Sequence, residues 1–76
     1  MLASELHDLI VSTLARRAGG TKRRWRMAVG AIRVHDAGTH PHCNWSVAPS
    51  GSVHENAEIE QLLDELRLRN RIVYAD

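Results

Sequence analysis

Residues 21–47 constrain the fold of this 76-residue chain more than any other segment. They contain two apolar, β-prone runs separated by the turn-rich segment Asp36-Ala-Gly-Thr-His-Pro. Such runs on either side of a short turn predict a β-hairpin. A helical pattern lies on each side of the hairpin, and amphipathic helices need an apolar layer to pack against. The sequence therefore predicts a small α+β fold organised around this hairpin.

The first run of the hairpin changes phase at Gly30. The apolar residues before it, at every second position, are Trp25, Met27 and Val29. After it, Ile32 and Val34 lie on the alternate set of positions. A glycine at a phase change predicts a β-bulge, and the alternative is a strand whose middle is buried on both faces.

The second run alternates cleanly between apolar and polar residues. Its apolar positions are Cys43, Trp45 and Val47. The residues opposite them are His42, Asn44 and Ser46. Successive side chains of a strand point to opposite faces, so this pattern predicts a strand with one face packed on the core and the other face polar.

Two amphipathic helices flank the hairpin. The first covers residues 3–18, and the two glycines Gly19 and Gly20 follow it as a stop signal. Its apolar stripe consists of Leu2, Leu6, Leu9, Ile10 and Leu14. The second begins near Ser52, where Glu55 stands three residues on as in a capping box, and runs to about residue 69. Its apolar stripe consists of Ile59, Leu62, Leu63 and Leu66.

The predicted order of elements is helix-strand-strand-helix-strand. Residues 71–74 are short and rich in β-branched side chains, so they are interpreted as a third strand. A right-handed helical crossover would place this strand beside the first one, in the order 2-1-3. The expectation is a three-stranded sheet with both helices on one face, forming a single domain over residues 1–76. The other face of the sheet would then be polar or partly exposed.

Charge is distributed unevenly along the chain, although the net charge is only +1. Residues 1–38 carry seven basic and three acidic side chains, whereas residues 39–76 carry three basic and six acidic ones. Such a split is typical of a basic binding surface, or of two halves that attract each other. The attraction could act within a monomer or between the chains of a homodimer, and the small size of the domain is compatible with a homodimer.

The location predicted for the protein is the cytoplasm. Cys43 is the single cysteine, so no disulfide forms within the chain, and a reducing compartment is expected. Glu5 and Asp8 interrupt the first apolar stretch, which therefore does not have the pattern of a signal peptide. No membrane partner is expected, since the longest apolar run in the hairpin is far too short to span a bilayer.

A basic cluster around the Gly-Gly turn is the best candidate for a binding surface. Its members are Arg16, Arg17, Lys22, Arg23, Arg24 and Arg26. Such side chains neutralise phosphates, and Trp25 within the cluster could stack on a base. In the alternative interpretation, the arginines are helix-end cations, solvated side chains or partners of acids on the second helix.

Histidines near the hairpin turn provide a second hypothesis, a metal site formed by His35, His40 and His42. Imidazoles suit zinc and the later transition metals. The spacing matches no established zinc motif, so the alternative is a set of surface histidines around a buried thiol.

Catalysis and a cofactor are not expected. Cys43 and His42 are adjacent on a strand, so they face opposite sides and do not form a nucleophile–base pair directly. The sequence as a whole predicts a small non-catalytic interaction module. Its partner would be a protein or a nucleic acid that contacts residues 16–26.

Overall fold

The chain folds into three helices and one short antiparallel hairpin in a computed structural model that describes residues 1–76. The elements are α1 (Ala3–Ala18), α2 (Lys22–Val29), β1 (Arg33–Val34), β2 (Trp45–Ser46) and α3 (Val53–Arg69). The α+β class is therefore confirmed, but the order of elements differs from the predicted one. The end of the first predicted strand is confirmed, because Arg33 and Val34 pair with the second run as β1. Its beginning is wrong, because the chain up to Val29 forms α2.

Helix α2 replaces the first predicted strand as far as Val29. The Thr21 side chain accepts a hydrogen bond from the Arg24 amide at 3.1 Å, which begins the helix. Trp25, Ala28 and Val29 are all buried, and their spacing is that of one helical face. On a strand Met27 would share the face of Trp25, yet Met27 is 62% exposed. The segment therefore follows the 3.6-residue period of a helix and not the two-residue period of a strand.

The predicted β-bulge at Gly30 is also wrong. Gly30 ends α2 with φ of 69°, a left-handed conformation that favours glycine, and its amide donates to the Arg26 carbonyl at 3.0 Å. The hairpin that follows is short and pairs Arg33 with Ser46 and Val34 with Trp45. The core-facing side of the second run is as expected, since Trp45 and Val47 are buried and Cys43 packs against the core.

The third strand is absent, and the expected three-stranded sheet with both helices on one face is therefore wrong. Residues 71–74 instead lie beside Asn44, whose backbone amide binds the Arg71 carbonyl and whose side chain binds Val73. Its Oδ1 accepts from the Val73 amide and its Nδ2 donates to the Val73 carbonyl, both at 2.8 Å. One side-chain amide thus replaces a ladder of backbone bonds, and only an isolated bridge joins Tyr74 to Leu2.

Helices α1 and α3 begin and end as expected. In α3 the Glu55 amide donates to the Ser52 hydroxyl at 3.1 Å, and the Ser52 amide donates to the Glu55 carboxylate at 2.8 Å. In α1 the Leu2 amide donates to the Glu5 carboxylate at 2.7 Å, and Gly19 ends the helix. The predicted stripes are buried apart from Leu2 and Leu9, which are exposed.

The core lies where the apolar faces of the three helices meet. It is one cluster of 14 buried residues, to which β2 and residue 73 also contribute. The arrangement differs from two helices laid on a sheet, because α2 supplies apolar surface that the predicted strand was expected to supply. No helix combines the length and the apolar character needed to cross a bilayer.

Candidate functional site

Helix α2 presents a cationic surface to solvent. Four of its eight residues are basic, and no acidic residue lies in its first turn. Burial of Trp25, Ala28 and Val29 determines which side of the helix faces the core. The basic side chains are therefore directed outward, and all four residues are exposed.

Ion pairs separate the predicted basic cluster into bound and unpaired members. Arg24 donates two hydrogen bonds to the Glu55 carboxylate, at 2.7 and 2.8 Å. Arg17 donates to Glu65 at 3.0 and 3.4 Å. Both of these acids belong to α3, as the alternative interpretation of the cluster anticipated. The other four cations make no ion pair, and they are Arg16, Lys22, Arg23 and Arg26.

Three of the unpaired cations share one side of α2. Lys22 and Arg26 are four residues apart and Arg23 and Arg26 three apart, which are the spacings of neighbours on a helix surface. We call Lys22, Arg23 and Arg26 the α2 basic face. The positive end of the helix dipole adds to its potential at the N-terminal turn. None of its three cations has an acidic partner within ion-pair distance.

The tryptophan within the basic cluster has a structural role. Its indole Nε1 donates to the Gly19 carbonyl at 2.7 Å, and the ring is only 4% exposed. The stacking on a base that the sequence allowed for Trp25 is therefore not available on this surface. The indole instead ties α2 to the turn that precedes it.

The C-terminal end of α2 is held by the loop before α3. The Ser50 amide donates to the Ala28 carbonyl at 2.8 Å, and the Ser50 hydroxyl donates to the Met27 carbonyl at 3.3 Å. A Cβ atom at Gly51 would lie 2.9 Å from the Ala28 Cβ, so only glycine fits this approach. The loop before α3 therefore packs closely on α2, near the point where Arg24 of α2 meets Glu55 of α3.

The Arg24–Glu55 pair is charged over a wide pH range. The hydrogen bond from Arg24 is the main cause that lowers the pKa of Glu55 to about 2, and the Ser52 amide contributes as well. The same pairing raises the pKa of Arg24. Arg24 therefore links α2 to α3 and is not part of the unpaired surface.

Arg16 and Arg17 lie away from the α2 basic face, beside a groove between α1 and α3. The groove has a volume of about 400 Å³, and Leu9 and Leu62 contribute to its apolar lining. Arg69 lines it too. The sequence does not predict that Arg16 and Arg69 share a groove, because nothing in the spacing links residues 16 and 69. The predicted cluster therefore forms two separate surfaces.

The structure brings together two of the three predicted metal ligands. The rings of His35 and His40 stack with their centroids 4.7 Å apart, and His35 Nε2 shares a hydrogen bond with the Ser46 hydroxyl at 3.0 Å. No group of three or more His, Cys, Asp or Glu side chains is placed to hold one metal ion. His42 is exposed. The metal site stays a prediction. The structure brings together only His35 and His40 of its three proposed ligands.

Cys43 is partly buried and bound to the backbone. Its thiol donates to the Trp45 carbonyl at 3.4 Å, and the side chain packs against the core. This environment is that of a small structural side chain.

Known proteins provide no family to which this chain can be assigned. No protein-family model matches it, and no curated protein and no solved structure matches it either. The inference of function therefore begins from the charge and the geometry of the chain itself, and the α2 basic face is the feature from which it begins.

Proposed function

We propose that the protein is a small, non-catalytic binding module that binds nucleic acid through the α2 basic face. The observation that carries this proposal is the set of three exposed cations, Lys22, Arg23 and Arg26, that have no acidic partner. A row of phosphates would neutralise them and release counterions, which is the main favourable term in such binding.

A protein partner fits this surface less well. The centres of protein interfaces are enriched in arginine and depleted in lysine, and they are built around clusters of buried aromatic and apolar anchors. The one large apolar side chain exposed on α2 is Met27, and the nearby Trp25 is buried. The α2 basic face therefore has charge to offer but almost no apolar area, which favours a polyanion over a protein.

Binding should depend strongly on salt. Three phosphate contacts on duplex DNA predict an affinity that falls about 40-fold between roughly 50 and 200 mM salt. Fluorescence anisotropy with labelled oligonucleotides measures this slope. A salt-independent affinity, or no binding at low salt, would contradict the proposal.

The double variant Arg23→Glu with Arg26→Glu tests the surface directly. Both side chains are exposed and make no ion pair, so the fold should survive, and circular dichroism checks that it does. Arg24 is left unchanged because it holds Glu55. We expect binding to fall below detection.

A matched control reverses two charges outside α2. Arg33 and Arg71 are also exposed and also make no ion pair, so Arg33→Glu with Arg71→Glu changes the net charge by the same amount. This control should keep most of the affinity. An equal loss in both double variants would show that net charge, and not the α2 basic face, governs binding.

A further inference from the structure

Helices α1 and α2 are joined by a turn of only three residues, 19–21. The first two residues are glycines with φ of 81° and 84°, a region that other residues rarely adopt. The third, Thr21, begins α2 with its side chain. A long first helix, a tight glycine turn and a short second helix are the parts of a helix-turn-helix unit.

The second helix of this unit carries the unpaired cations. An α-helix with its side chains is about 10–12 Å in diameter, and the major groove of B-DNA is about 12 Å wide, enough to admit one helix. No acidic side chain lies on α2, so nothing on its outer surface repels phosphates. Met27, 62% exposed beside the cations, adds a flexible apolar side chain that could contact a thymine methyl group.

The position of α2 is determined before any ligand binds. Trp25 binds the Gly19 carbonyl, Arg24 binds Glu55 of α3, and Ser50 binds the carbonyl groups at the C-terminal end. A helix held at both ends and along one face needs no further ordering of its backbone on binding, so only its outer side chains have to become ordered. Rigid presentation of this kind suits recognition of a rigid groove.

We infer that the α1–turn–α2 unit presents α2 to the major groove of duplex DNA. On unselected sequence all three cations of the α2 basic face contact phosphates, and at a preferred site Arg23 and Arg26 contact guanine edges while Lys22 keeps its phosphate. This inference rests on the proposed nucleic-acid binding and adds that the nucleic acid is duplex DNA contacted in its major groove. Arginine forms two parallel hydrogen bonds to guanine O6 and N7 with its rigid planar fork, whereas lysine reaches the same two atoms only as a flexible point charge, with less fixed geometry.

Selection from a pool of randomised duplexes tests the inference. The wild-type protein should enrich sites that contain guanine, and the enriched duplex should bind on the order of tenfold more tightly than its separated strands. Dimethyl sulfate methylates guanine N7 in the major groove, and bound protein should protect those guanines.

The double variant Arg23→Lys with Arg26→Lys keeps every charge and removes both forks. We expect it to retain binding to unselected DNA with an unchanged salt slope, but to lose the preference for the enriched site and the protection at N7. Circular dichroism confirms that the variant is folded.

The outcomes separate the two proposals. Equal affinity for duplex and single strands, an unenriched pool, or an unchanged preference of the lysine variant for the enriched site would overturn the groove inference and leave the proposed function in place. Absence of binding to any nucleic acid at low salt would overturn both.

Discussion

Asn44 shows most clearly how one side chain can replace an element of structure. It is 3% exposed, and the alternating pattern placed it on the polar face of the second strand. Its amide group instead binds Val73 twice and donates to the His35 carbonyl at 3.2 Å, while its backbone amide donates to the Arg71 carbonyl. A buried amide is tolerated because its polar atoms are satisfied in this way.

Replacing Asn44 with alanine should lower the free energy of unfolding by about 2–4 kcal/mol, because the Val73 amide and carbonyl would remain buried without partners. Urea denaturation measures the change. Asn56→Ala is the matched control, since the Asn56 side chain accepts a single bond from Gly51, at 2.9 Å. A loss no larger than in the control would show that apolar contacts and backbone hydrogen bonds are enough to hold residues 71–74.

At the scale of elements, α2 is the segment that two patterns compete for. Positions 25, 27 and 29 alternate as in a strand, and positions 25, 28 and 29 form a helical stripe. The cap at Thr21 and the stop at Gly30 are both visible in the sequence and both signal a helix. These two signals together predict a helix at α2. The β-prone residues that follow Gly30, however, made one long strand an equally consistent interpretation.

The glycine turn before α2 should be intolerant of side chains for conformational reasons. Gly19 has φ of 81° and ψ of −172°, and a Cβ there would meet nothing within 4 Å, so strain alone opposes a substitution. Gly19→Ala should therefore lower the free energy of unfolding by about 1–3 kcal/mol. Thermal or urea denaturation measures it.

Gly38→Ala controls for the general effect of adding a methyl group to a turn, since Gly38 does not have positive φ. Its added Cβ would meet only an exposed Asp36 carboxylate, at 3.2 Å. This variant should be close to the wild type. Equal stability of the Gly19 and Gly38 variants would mean that the turn relaxes readily, and α2 would then be less firmly positioned than the groove inference requires.

At the scale of the whole molecule, acid should weaken the contact between α2 and α3. The pKa of Glu55 is lowered in the folded protein, so its ionised form stabilises the fold above the ordinary pKa of 4.5, and this contribution is lost as the pH falls toward about 2. We expect the urea midpoint to fall over that interval. The pKa of Asp76, lowered by hydrogen bonds from Ser4, adds a smaller change in the same direction.

Glu55→Gln should flatten this pH dependence and reduce stability at neutral pH, where the ion pair with Arg24 is lost. Glu60→Gln is the control, because Glu60 is exposed on the same helix and makes no ion pair. A pH profile shared by the wild type and the Glu55 variant would mean that other groups govern acid stability.

The homodimer expected from the charge split stays a prediction, which sedimentation velocity at low and high salt would test.

Local signals in the sequence were enough for α1, α3 and the packed face of β2, because caps, stop residues and apolar stripes there agree with one another. They also identified every cation of the α2 basic face. Tertiary structure decided the rest. Whether a cation is unpaired depends on acids far along the chain, since Arg24 meets Glu55 across 31 positions and Arg17 meets Glu65 across 48. Likewise, α2 is a helix because only a helix buries Ala28 together with Trp25, and the pairing of Asn44 with Val73 exists only once the chain has closed on itself.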